Sequence, residues 1–128
     1  HNISNLTFRY LQNENTPFEY VTLIFSNYSN KPLLFSITSR KKEAYIADTL
    51  KEKYGEPAIR NWEDGKSLSM VWEKNRDFLI FSKISERGSF KYSIMIYFVN
   101  NIENLLQIEQ YEIKQREEER KKAGKTAF

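Results

Sequence analysis

FLIFSKISERGSFKYSIMIYFV, residues Phe78–Val99, decides the fold. Phe78, Leu79, Ile80 and Phe81 make one unbroken apolar run, and Ile94, Met95, Ile96, Tyr97, Phe98 and Val99 make another. Runs this short, rich in β-branched and aromatic residues, read as strands, and because they are apolar at successive positions they read as central strands covered on both faces. Glu86-Arg87-Gly88 between them supplies turn chemistry, so Phe78–Ile84 and Ser89–Val99 pair as a hairpin. Both runs are far shorter than the roughly 20 residues that a membrane-spanning helix needs.

Working upstream, the separators Lys74-Asn75-Arg76-Asp77 and Glu63-Asp64-Gly65 delimit two further strands, Ser67–Trp72 and a short one at Ile59–Trp62, in meander order. Between Ser39 and Gly55 the period changes. Ile46, Ala47, Leu50 and Tyr54 fall on one helical face, Thr38 or Ser39 serves as N-cap, Gly55 suits the left-handed position past a helix end, and Pro57 cannot continue the helix. Before it, Tyr20–Ser26 and the alternating Leu33, Phe35 and Ile37 flank Asn27-Tyr28-Ser29-Asn30 as a hairpin. Leu6, Phe8 and Tyr10 alternate as a first strand with one buried face.

Downstream, Asn100 followed by Glu103 resembles a capping box, and Ile102, Leu105, Leu106 and Ile113 form an apolar stripe. From Lys114 to Lys122 the stripe gives way to i,i+4 pairs such as Glu112 with Arg116 and Glu117 with Lys121. The expectation is an α+β domain: an antiparallel meander sheet, one packed helix over about 40–54, and a long C-terminal helix over about 100–122 that ends near Gly124. Residues 1–113 form the domain and 114–128 a charged extension. The second face of the central strands needs a cover, from the C-terminal helix, the N-terminal hairpin or a second subunit.

The 128-residue chain suits one core. Its 20 basic and 17 acidic residues nearly balance, which weakens any argument from global charge. With no cysteine there are no disulfides, thiolate metal sites or thiol nucleophiles. The chain opens on His1 rather than Met, which fits a processed, exported bacterial protein.

The segment Leu50-Lys51-Glu52-Lys53-Tyr54-Gly55-Glu56-Pro57 closes a helix, follows a hairpin and precedes Trp-containing strands. In this it resembles a group of small bacterial α+β domains, many of them exported. The likeness covers about residues 20–99. It implies the architecture and a periplasmic or secreted location, and it carries no functional residue.

The residues argue against catalysis. The single histidine is His1, so Ser-His-Asp chemistry has no base within the domain, and Glu63 and Asp64 read as turn formers. No metal-ligand spacing, calcium loop or Gly-rich phosphate loop occurs, and no cofactor is expected. The expected function is a non-enzymatic protein-interaction or structural module with a protein partner or self-association.

The rival is a cytoplasmic nucleic-acid-binding domain using Arg40, Lys41, Lys42 and sheet aromatics. Its best motif, Arg87-Gly88-Ser89-Phe90-Lys91-Tyr92, departs from the aromatic RNA-binding strand by placing Ser89 after the glycine. A third reading is a carrier of a small apolar ligand. Trp72 extends the Leu68 and Met70 face and reads as core, whereas Trp62, beside a polar turn, is the candidate surface aromatic.

Overall fold

The computed structural model describes residues 2–11, 18–40 and 44–127. Its elements are β1 (Ile3–Arg9), β2 (Phe18–Ser26), β3 (Pro32–Ser39), α1 (Ala44–Tyr54), β4 (Ala58–Asn61), β5 (Leu68–Lys74), β6 (Asp77–Glu86), β7 (Ser89–Tyr97) and α2 (Val99–Ala127). This is an α+β fold with one antiparallel seven-stranded sheet in the order β1-β2-β3-β7-β6-β5-β4. Two meanders meet where β3 pairs with β7, Phe35 opposite Ile96 and Ile37 opposite Ile94. The N-terminal strands therefore widen the sheet and do not fold over the central strands as a cover.

Two hairpin turns are set by backbone conformation. Arg87 and Gly88 (φ 51° and 81°) close β6–β7, and Asn75 and Arg76 (φ 53° and 72°) close β5–β6. Two successive left-handed residues give the type I′ geometry that matches strand twist. Arg76 is an unusual residue for that position. Its guanidinium donates to Asn100 Oδ1 at 2.9 Å and pairs with Glu103, so the strained turn also holds the start of α2. Asn100 and Glu103 thus serve the turn instead of capping their own helix, which starts a residue earlier than its side chains suggest.

α1 packs on one face of the sheet. Ile46 is buried with Trp72, Phe81 and Tyr92, against which Phe18, Ala47, Leu50, Met70, Leu79 and Ile94 pack. Trp72 Nε1 donates to the carbonyl of Gly55 at 2.8 Å, and Gly55, at φ 89°, returns its own N–H to Lys51 O, so the helix stop is tied to the core.

α2 runs along the end of the sheet. Successive contacts, Arg76 with Asn100 and Glu103, Asn101 with Pro32 O, Asn2 with Glu109, and Tyr28 with Glu112, carry it from the β5–β6 turn towards β1. Leu105 is its one buried residue, while Leu106 and Ile113 are exposed, so the apolar stripe is only partly used. From Ile113 to Ala127 every residue is exposed. Gly124 sits inside the helix, which continues past the expected stop; glycine there costs about 1 kcal/mol and does not by itself end a helix.

Candidate functional site

The register assigns each side chain to a face. On the α1 face lie Leu6 and Phe8 of β1, Val21 and Leu23 of β2, Phe35 and Ile37 of β3, and Ile94 and Ile96 of β7, aligned by the pairs Phe8–Val21, Leu6–Leu23, Val21–Ile37 and Leu23–Phe35. On the opposite face the same three outer strands carry Asn5, Thr7, Thr22, Ser36 and Thr38. Ile3, Ile24 and Leu34 share that second face with them, so the α1 face of these strands is largely apolar and the other is mixed. Yet α1 reaches only the β5–β7 portion of the apolar face. Leu6 and Phe8 are exposed, so the buried face expected of the first strand is an uncovered one.

Beside α1 the uncovered surface deepens into an open trough of about 570 Å³, lined by Leu23, Phe25, Pro32, Phe35, Ile96 and Phe98, with Asn30 as its polar member. Its position follows from the fold. A register irregularity between Ile24 and Phe25 brings Phe25 opposite Pro32, and Phe98 follows β7 with its N–H on Leu33 O. The trough can take an apolar side chain or a short hydrocarbon by exclusion of water; it offers almost no directional hydrogen bonding.

The opposite face carries a different feature. Thr38, Ser93, Ser82 and Ser69 stand side by side across β3, β7, β6 and β5, all buried. Trp62 Nε1 donates to Ser69 Oγ at 2.9 Å, and Ser69 and Ser82 share a hydrogen bond at 2.7 Å. Thr38 Oγ1 is buried without a hydrogen-bond partner among the described residues. Small hydroxyls recessed between larger neighbours give a polar floor that ligands cannot reach. Sequence reasoning passed over these serines because single Ser residues inside strands carry no pattern.

Trp62 lies just past β4, 42% exposed. Arg40 follows β3 at the far side of the sheet, four strand spacings or roughly 19 Å away, so the two candidate residues do not form one site. Arg40 is held by Glu19 at 3.2 Å and Glu86 at 3.1 Å, with Lys91 at 3.8 Å from Glu86. The hydrogen bond to Glu86 and the two carboxylates push the Arg40 pKa up, and Arg40 in turn holds Glu86 below the usual carboxylate value. A guanidinium already facing two carboxylates is poorly placed to neutralise phosphate. Lys41 and Lys42 lie outside the described residues.

Asp64 accepts from Ser67 Oγ at 2.5 Å, Ser67 N at 2.8 Å and Lys66 N at 2.9 Å, which lowers its pKa and locks the β4–β5 turn. Among the described residues no three His, Cys, Asp or Glu side chains gather as a metal site. No described helix is long and apolar enough to cross a membrane.

Compared with known proteins, the chain matches no family model, no curated protein and no solved structure. The trough, lined by apolar side chains apart from Asn30, is the candidate contact surface.

Proposed function

We propose that this domain works by contact with another protein surface and performs no catalysis. One observation carries the reading: on β1, β2 and β3 the α1 face is lined by apolar side chains that α1 does not cover, Leu6 and Phe8 exposed and Leu23 and Phe35 half-buried along the trough. Contiguous exposed apolar surface on this scale costs solubility, and in folded proteins such patches mark interaction sites. The two outer-sheet aromatics, Phe8 and Phe35, and the trough beside them supply the anchor and pocket that binding hot spots use.

A photoreactive phenylalanine analogue placed at Leu23 or Phe35 in the source cells tests this. A discrete ultraviolet-dependent adduct is expected from both positions and none from Lys51, which lies on α1. Equal labelling from all three positions, or none from any, would overturn the reading.

The trough also favours a second reading, a carrier of a small apolar ligand, because its lining is apolar apart from Asn30. Native mass spectrometry of the freshly purified chain decides this by a co-purifying adduct that Phe35→Asp removes. An envelope location rests on the likeness of the Leu50–Pro57 segment, and fractionation with sequencing of the mature N-terminus tests it. The nucleic-acid reading has less support, since Arg40 is paired with Glu19 and Glu86. It requires binding that falls steeply with salt.

A further inference from the structure

We propose that the contact surface includes the outer edge of β1 and that its partner is a second copy of this chain, the two β1 strands pairing antiparallel about a twofold axis at Thr7. This rests on the protein-contact reading and names the partner.

β1 is the terminal strand of the sheet. Asn2 O accepts from Asn27 N, and Tyr10 N donates to Glu19 O, so the even-numbered residues of this segment turn their backbone groups towards β2. By alternation, the N–H and C=O groups of Ile3, Asn5, Thr7 and Arg9 point outward. Among the described residues no strand pairs with them.

Natural sheets protect such edges with proline, bulges, short strands or inward charges. The opposite edge, β4, is only four residues long and follows Pro57. β1 is seven residues long, pairs with β2 without a register shift, contains no proline and bears one charge, Arg9.

The sequence of this segment matches itself best in one register. Only registers that set odd residues against odd residues can use the outward backbone groups. With the axis at Thr7, Leu6 meets Phe8 of the second copy on the α1 face, and Ile3 meets Leu11 of the second copy on the other face. Those four are the large exposed apolar side chains of the segment: Ile3 50%, Leu6 60%, Phe8 61% and Leu11 65% exposed. Asn5 faces Arg9 of the second copy, leaving the two guanidinium groups roughly 13 Å apart along the strands. Moving the axis to Leu6 would keep only a Leu6–Leu6 contact and set Phe8 against Ser4 and Ile3 against Arg9, and moving it to Phe8 would pair Phe8 with Phe8 and Leu6 with Tyr10 but set Leu11 against Asn5 and leave Ile3 unmatched.

At about 200 Å² for a full side chain of this size, the four residues offer roughly 450 Å² per copy, or roughly 900 Å² for the pair. Edge pairing covers the flanks of these side chains and leaves their upper surface open, so with the outward backbone and Asn5, Thr7 and Arg9 the contact lies near the ~1,000 Å² that separates specific from incidental contacts, the size of a concentration-dependent dimer.

The absence of cysteine makes the register testable on the whole chain. Thr7→Cys places two thiols at directly opposed positions, within disulfide reach. It is expected to form a covalent dimer under mild oxidation. Asn5→Cys alone is expected to stay uncrosslinked, and an equimolar mixture of Asn5→Cys and Arg9→Cys to crosslink.

Sedimentation of the cysteine-free chain is expected to rise from 15.3 kDa towards twice that with concentration. Thr7→Pro, whose lost N–H serves no bond among the described residues, should weaken association at least about tenfold while circular dichroism stays unchanged. A chain that sediments as a monomer at every concentration, or Asn5→Cys that crosslinks to itself as fast as Thr7→Cys, would overturn the proposal. If it fails while Leu23 still gives a photo-adduct, the protein-contact reading survives it. If the chain dimerises but Leu23 and Phe35 label nothing, the trough reading fails and the edge pairing stands.

Discussion

Replacing Trp72 by Phe tests how the α1 layer is fixed to the sheet. Trp72 is 7% exposed, packs with Ile46, Phe81 and Tyr92, and ties the Gly55 carbonyl through its indole N–H at 2.8 Å. The smaller ring forfeits about 1–2 kcal/mol of buried apolar contact, including the space left behind. Loss of the hydrogen bond adds about 1 kcal/mol, moderated because Gly55 is exposed and water can reach its carbonyl. The total, about 2–3 kcal/mol, corresponds to a fall of roughly 7–10 °C in Tm for a domain of this size. Thermal unfolding followed by circular dichroism at fixed protein concentration measures it. Trp62→Phe is the control: Trp62 is half-exposed and Ser69 keeps Ser82 as a partner, so less than about 1 kcal/mol is expected. A Trp72→Phe shift no larger than that of Trp62→Phe would refute the assignment of Trp72 as the pin of the core.

Ending the chain after Lys114 should change stability by less than about 0.5 kcal/mol, since every described residue removed is exposed; Leu105→Ala, at the one buried position of α2, should cost about 2–4 kcal/mol in urea unfolding. Asp64 is lowered by Ser67 and Lys66, and Glu86 by Arg40, so both favour the folded state when ionised. Their contribution is complete above about pH 5 and is lost as pH falls through the lowered folded values. The double change Asp64→Asn with Glu86→Gln should therefore flatten the acid limb of a stability–pH profile and leave its slope above pH 7 unchanged. Gly88→Ala, at φ 81°, should destabilise the β6–β7 hairpin by about 1–2 kcal/mol, read as a lower urea midpoint with an unchanged slope.

The elements that were legible in the sequence are those whose signal is local. The stop of α1 at Gly55 and the β6–β7 hairpin around Arg87-Gly88 are written in adjacent residues, and the four-strand meander after Pro57 follows from turn spacing. The junction of β3 with β7 was not legible, because Phe35 and Ile96 are 61 positions apart and no local rule selects one edge over another. The same limit explains the first strand. The alternation of Leu6, Phe8 and Tyr10 gives a strand with an apolar side, but whether anything lies on that side depends on where β1 falls in the sheet. The candidate residues Trp62, chosen for its place beside a polar turn, and Arg40, chosen for its basic cluster, follow distant strands, one engaged with Ser69 and the other with two glutamates. The trough was hidden for a further reason: Leu23, Phe25, Phe35 and Phe98 lie in apolar strand runs like any others, and only the strand order reveals that α1 stops short of them.

The width of the sheet explains why it stops short. Seven strands at roughly 4.8 Å spacing span about 29 Å, whereas one helix covers a strip about 10 Å wide, enough for β5, β6 and β7. α2 could have supplied a second strip, but its bonds to Pro32, Asn2 and Tyr28 hold it along the strand ends. The outer strands are therefore left with a free apolar face by geometry. Their other face is mixed, with Asn5, Thr7, Thr22 and Ser36 beside Ile3, Ile24 and Leu34. On the α1 face Leu6, Phe8, Leu23 and Phe35 follow one another across the three strands, a surface whose composition makes physical sense when something apolar lies against it. Pairing at the β1 edge would join two such surfaces into one continuous face, which enlarges the area available to any further partner without requiring another element from the chain.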